Sequence, residues 1–204
     1  MISNPCFYID GPGGSVKTFV YTTRYHLLKS KGKKICTMAF TGIAAILLPH
    51  GKTVHKTFGM PVPIFSDSVS HFKCQSKDAK YLKEADIFIW DEAPMAPRYA
   101  LELIDRTLRD FMKSDLPFGG KIMLLVGDFR QLLPVKPNAT RSELVNLCIR
   151  FSHLWKNFQV FSLTENMRTL PGEEKFAKYL LSLGDGLLND NDNNILAPEK
   201  LRSS

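Results

Sequence analysis

The sequence predicts an α/β domain, a parallel sheet covered by helices on both faces. Three observations carry that expectation. The chain has 204 residues, 44% of them hydrophobic, which is enough for one core-bearing domain. Short apolar runs of strand length recur along it, and segments of helical spacing lie between them. Such alternation implies parallel pairing, because a crossover helix is the short way to return a chain to a parallel neighbour. Sheets of this kind bind ligands at the carboxyl ends of their strands, so chemistry is sought there.

In chain order, the runs 6–9, 35–40, 87–90, 122–126 and 160–163 are the expected strands. Helical spacing marks 17–28, 97–112, 142–149 and 173–183; Pro97 suits a helix start, and Gly184 lies just past a helix end. The stretch 61–77, with Pro61, Pro63 and four serines, reads as a surface loop or insertion. Residues 189–194 are a polar, turn-prone patch. No apolar run approaches the length of a membrane span, and the first ten residues lack the start of a secretion signal, so an intracellular protein is expected. Cys6, Cys36, Cys74 and Cys148 stand far apart, which argues against a zinc knuckle or a disulfide framework and reads as buried small hydrophobes. With 27 basic against 20 acidic residues the net charge is +7, which suits a polyanionic partner.

The first run leads into Gly11-Pro12-Gly13-Gly14-Ser15-Val16-Lys17-Thr18 and then a helix. This is a near-match to the phosphate-binding loop, whose backbone N–H groups curl around phosphate oxygens at a helix N-terminus. Lys17 would neutralise the β- and γ-phosphates, and the Thr18 hydroxyl would ligate magnesium. Val16 departs from the pattern, since glycine is usual there and a β-branched side chain adds bulk and stiffness. The run 87–90 ends in Asp91-Glu92: Asp91 would order magnesium and Glu92 would activate the attacking water, although an acidic turn cap accounts equally well for that pair taken alone. The run 122–126 ends in Gly127-Asp128-Phe129-Arg130-Gln131, where the Gln131 amide can sense a γ-phosphate or position water. Arg168, after the fifth run, would contact the transferring phosphoryl group.

Together with Ala39-Phe40-Thr41-Gly42-Ile43-Ala44-Ala45, Thr53-Val54-His55, Trp90-Asp91-Glu92-Ala93-Pro94-Met95 and Leu163-Thr164-Glu165-Asn166-Met167-Arg168, these motifs resemble the PIF-type DNA helicases. Those are RecD-like motors of helicase superfamily 1, many of whose copies lie inside Helitron transposons. The resemblance covers residues 7–186 and implies a RecA-like P-loop domain, ATP hydrolysis with Mg2+, and 5′ to 3′ translocation on single-stranded DNA in repair, recombination and telomere maintenance. It matches Lys17 and Thr18 to the phosphate-loop pair, Asp91 and Glu92 to the Walker B pair, and Gln131 and Arg168 to the third and fourth motifs. It also assigns Thr41, Gly42, Thr53 and His55 to the DNA backbone. In that comparison residues 1–186 form the first motor domain and 187–204 a tail toward a second. The expectation is a monomeric, nuclear protein that alone unwinds no DNA and turns ATP over at most very slowly, because a missing arginine finger contributes about 10³–10⁵ in rate.

Lys29, Lys31, Lys33 and Lys34 form a basic knot that reads as a solvated loop. The five histidines show no metal spacing. Phe58, Phe65, Phe72 and Trp155 read mainly as packing residues. Two other functions compete: a non-catalytic nucleic-acid-binding relic, favoured by Val16, and a metabolite kinase, which leaves 127–134 and 163–168 unexplained.

Overall fold

The computed structural model describes residues 6–131, 134–167, 174–190 and 195. Six strands form one sheet: β1 (Cys6–Asp10), β2 (Ile35–Ala39), β3 (Lys52–Thr53), β4 (Ile87–Asp91), β5 (Ile122–Gly127) and β6 (Phe158–Ser162). Their order is β3-β2-β4-β5-β1-β6, and every neighbouring pair is parallel. Among the described residues the helices are α1 (Lys17–Ser30), α2 (Gly42–Ile46), α3 (Val54–Phe58), α4 (Lys77–Glu84), α5 (Arg98–Met112), α6 (Arg141–Leu147) and α7 (Glu174–Gly184).

Period-two alternation along the strands divides the core in two. Tyr8, Met38, Phe88, Trp90, Met123 and Leu125 point to the layer built by α3, α4 and α5. Ile9, Ala39, Ile87, Ile89 and Val126 point to the opposite layer, built by Tyr21 and Tyr25 of α1 with Ala45 and Leu48. All five residues of β4 are buried, so apolar side chains occupy both of its faces, as central parallel strands require.

The structure shifts some expected boundaries. β6 begins at Phe158, two residues early, because Phe158 is the member that packs inward, stacked on Trp155. Val160 and Phe161 are half exposed on this edge strand rather than forming a buried run. Pro97 is the cap of α5 and not its first turn, and Gly184 is the last residue of α7 rather than its stop. The segment between Met60 and Ser76 carries no strand or helix, in keeping with a loop. Phe58 and Trp155 are packing residues and Phe72 lies against the core, whereas Phe65 is exposed. Cys6, Cys36 and Cys148 are buried; Cys74 is only half-buried and accepts a hydrogen bond from the Lys83 ammonium at 3.1 Å.

β3, α2, α3 and α4 have no counterpart among the runs read from the sequence; β3, α2 and α3, of two to five residues, are too short to display a period. Their starts are nonetheless chemical. The side chains of Thr41, Thr53 and Ser76 accept hydrogen bonds from the backbone N–H groups of Ala44, Lys56 and Ala79, which satisfies donors that a helix start leaves open.

Candidate functional site

The 11–18 loop joins the carboxyl end of β1 to α1. Ser15, buried, donates through both its hydroxyl and its N–H to the Pro12 carbonyl, at 2.8 and 3.2 Å, which closes the loop on itself. Gly14 has φ +89°, and a Cβ there would lie 2.3 Å from Oδ1 of Asn166, so only glycine fits. The Lys17 ammonium folds back to donate to the carbonyls of Gly11 and Pro12 at 2.5 and 3.2 Å. Neutral carbonyls are weak partners for a full charge, and phosphate oxygens in the same loop would displace them.

Val16 holds φ 53° and ψ 29°, a left-handed conformation that a β-branched residue adopts only under strain. Its side chain does not fill the loop. It is 38% exposed and lines an outer groove with Thr18 and Phe19. With the side chain turned outward, what valine imposes here is backbone strain, on the order of 1–3 kcal/mol.

At the end of β4, Asp91 is buried, with its Oδ2 accepting from the Tyr21 hydroxyl at 2.9 Å and its Oδ1 from the Glu92 N–H at 3.0 Å. Tyr21 stands one helical turn past Thr18, whose hydroxyl lies beside it and lowers its pKa against the larger rise from burial. Burial raises the Asp91 carboxyl above its ordinary pKa, against the pull of Tyr21, the Glu92 N–H and Lys17. Glu92 is likewise raised, by burial first and then by Asp91 and Asp128, with Lys17 opposing. Glu92 also sits at φ 51°, a second left-handed non-glycine residue in the site. Directly beneath, Gly127 lets the 93–95 turn approach β5, since a Cβ there would lie 2.2 Å from Pro94.

Beyond β5, Asp128 is buried and gathers the next motif: it accepts from the Arg130 N–H at 3.0 Å and from the Gln131 amide at 3.4 Å. That amide lies 4.0 Å from where a Cβ on Gly13 would stand. Arg130 reaches on to Asp185, just past α7. The Met167 N–H donates to the Gly14 carbonyl at 3.0 Å, docking the fourth motif on the loop. Pro12, Gly13, Gln131, Asn166 and the Leu180–Leu181 face of α7 line a cleft of about 680 Å3. Arg168 lies outside the described residues.

Thr41 and Thr53 stand at the carboxyl ends of β2 and β3, each capping a short helix, with Gly42 in open space beside the first. The His55 ring packs tilted against Phe40 with centroids 5.1 Å apart, and its pKa is lowered by burial. The structure brings Lys17, Asp91, Glu92 and Gln131 to one edge of the sheet, and beside them Tyr21, which sequence reasoning missed, and Asp128 and Asn166, which lay in its motifs without a role. The helical spacing from Thr18 to Tyr21 was the available signal for Tyr21, and the acid at a strand end for Asp128.

Asp128 is paired with the Arg130 guanidinium at 3.3 Å, which it shares with Asp185, so Asp91 and Glu92 are left with the Lys17 ammonium as their nearby cation and the site is short of positive charge on that side. A magnesium ion fits that need, because it binds through one or two carboxylates with phosphate oxygens and waters rather than an all-protein cage. Asp91 and the Thr18 hydroxyl are the groups that would hold it.

The chain matches the PIF1-like helicase family over residues 2–194. It belongs to that family. The ATP-dependent DNA helicase Pif1 of Bdellovibrio bacteriovorus is 31% identical over 166 residues, which are 79% of this chain and 36% of that protein. The corresponding helicase of Psychrobacter sp. is 28% identical over 187 residues, 89% of this chain and 27% of that one. Among solved structures, Bacteroides Pif1 bound to ssDNA has a TM-score of 0.74 at 31% identity, over 89% of this chain and 43% of that one. The chain thus spans about a third of these curated relatives and less than half of that structure. The fold is the family's RecA-like α/β domain. No helix among the described residues is long and apolar enough to cross a membrane.

Proposed function

We propose that this chain is the nucleotide-binding motor domain of an ATP-dependent, 5′ to 3′ DNA helicase, acting as a monomer in the nucleus. Residues 1–186 are the domain and 187–204 its tail. The observation that carries the reading is the convergence of Lys17, Asp91, Glu92 and Gln131 at the carboxyl ends of β1, β4 and β5, with the Thr41 and Thr53 caps on the same edge of the sheet. The bound Bacteroides relative supports the DNA half of it, and the relative's complex with ADP-AlF4 supports the nucleotide half.

In this reading the N–H groups of 13–17 and the Lys17 ammonium hold the triphosphate. Thr18 and Asp91 hold Mg2+, whose chemistry is to neutralise charge developing on the phosphoryl oxygens. Glu92, its proton affinity raised by burial and by Asp91, orients and deprotonates water. Gln131, fixed by Asp128, reads the γ-phosphate. Thr41, Gly42, Thr53 and His55 meet the DNA backbone, which makes binding sequence-independent and salt-sensitive.

Val16 favours a second reading, a relic that keeps the fold without turnover. Titration with a fluorescent ATP analogue, with and without Mg2+, separates the two. Tight magnesium-dependent binding by the unchanged chain supports the enzyme. Binding that emerges only in Val16→Gly, where glycine accepts the left-handed conformation without strain, supports the relic.

A further inference from the structure

At the end of the sheet opposite the nucleotide cleft, where the strands begin, lies a groove of 410 Å3. Tyr25 and Tyr81 form its walls and Lys29, Lys33 and Lys34 its rim. The carboxylate in this lining, Glu84, is already engaged by Lys34 at 2.7 Å and approached by Lys80 at 3.9 Å. Lys29, Lys31 and Lys33 are exposed and take part in no ion pair among the described residues. The Lys29 ammonium rests 5.6 Å above the Tyr25 ring. Lysine at the last turn of α1 complements the helix dipole, but that accounts for Lys29 alone and not for Lys31 or Lys33 beyond the helix end.

The groove is continuous with the candidate DNA edge. Lys52 of the edge strand β3 places its ammonium 4.9 Å over the ring of Tyr81, which walls the groove. The next residue is Thr53, and His55 and Lys56 follow on α3. From Ala39, which pairs with Thr53, back to Ile35 at the groove is four strand steps, about 13 Å, the span of a few nucleotides.

We propose that this groove is a second contact for the phosphodiester backbone of single-stranded DNA, reached along the β3 edge from Thr53 and His55. The proposal rests on the reading of those residues as DNA contacts. Phosphates meet Lys52, Lys33, Lys31 and Lys29 in turn, and the half-exposed ring of Tyr81 offers an aromatic surface to an unstacked base.

The test is fluorescence anisotropy of the full chain and of a Lys29→Ala/Lys31→Ala/Lys33→Ala variant, using oligo(dT) of about 6 and about 20 nucleotides at several salt concentrations. Exposed lysines are replaced at little cost in stability, which a thermal melt verifies. The expected result is that the variant loses affinity for the long strand and that its salt slope falls by roughly 2, about 0.7 for each phosphate no longer contacted, while the short strand binds as before. An unchanged long-strand slope overturns this proposal and leaves the Thr53–His55 reading standing. Failure of the unaltered chain to bind either strand overturns both. Loss of long-strand binding in the lysine variant but not in Thr53→Ala/His55→Ala overturns the path along the β3 edge, and with it this proposal, because the groove then holds DNA without those contacts.

Discussion

The Tyr21 hydroxyl stands beside Thr18 and donates to Asp91, the two groups proposed to hold magnesium. A donor to a buried carboxylate fixes its orientation and supports its ionised form, and loss of such an outer partner typically costs about 10–100-fold in metal affinity. Tyr21→Phe is therefore expected to raise, by roughly tenfold or more, the Mg2+ concentration at which a fluorescent ATP analogue is half bound, with magnesium-free binding little altered. A variant that melts lower but needs no additional Mg2+ would reduce Tyr21 to packing. The loop and the acid pair were readable from sequence because each sets particular residue types at adjoining positions. Tyr21 was not, since its role exists only once α1 and β4, 70 residues apart in the chain, lie side by side. Likewise the need for glycine at position 14 is plain locally, but the side chain that enforces it, Asn166, arrives from the far end of the domain.

Among the elements, the central strands announced themselves because burial on both faces leaves a continuous apolar run, as in β4. The edge strand β6 misled for the same reason, since its apolar residues are partly exposed and the run no longer marks the inward positions. Short helices depend on their ends, and α6 shows this most clearly. It buries none of its residues, yet Thr140 and Glu143 form a reciprocal capping box, the Glu143 side chain accepting from the Thr140 N–H at 2.8 Å. Those bonds, with Lys136 beside them, pull the Glu143 pKa down to about 2. Thr140→Ala removes the cap at a cost of about 1 kcal/mol. Because α6 contributes nothing to the core, that cost is expected to appear locally: amide hydrogen exchange over 141–147 accelerates about fivefold, while the melting temperature of the domain stays nearly fixed. A fall in global stability of the full amount would show instead that α6 unfolds only with the whole molecule.

Across the molecule, charge is distributed unevenly: a net +7 overall, yet Asp91, Glu92 and Asp128 crowd one cleft beside one loop lysine and the Arg130 guanidinium that Asp128 shares with Asp185. Asp91 and Glu92 carry raised pKa values, so between their ordinary values of 3.8 and 4.5 and the higher folded ones the native state binds more protons than the unfolded chain. Their contribution to stability is complete below that window and is lost as pH rises through it, the reverse of Glu143, whose lowered pKa favours the fold above its window. The nucleotide-free site thus carries two carboxylates whose ionised form its own fold disfavours, an arrangement that a bound cation relieves. Glu92→Gln removes one of them. The expected outcome is a higher melting temperature than the unchanged chain at pH 7 and a difference that shrinks toward pH 4, followed by differential scanning calorimetry without ligand. With a saturating magnesium–nucleotide analogue, at about 100 times its Kd, both proteins should gain about 2.7 kcal/mol, or roughly 5–10 °C for a chain of this size, since Glu92 is read as acting on water and not as a ligand. If Glu92→Gln instead lowers the ligand-free melting temperature at pH 7, the crowding of acids is not the strain in this site, and the electrostatic case for a cation there falls with it.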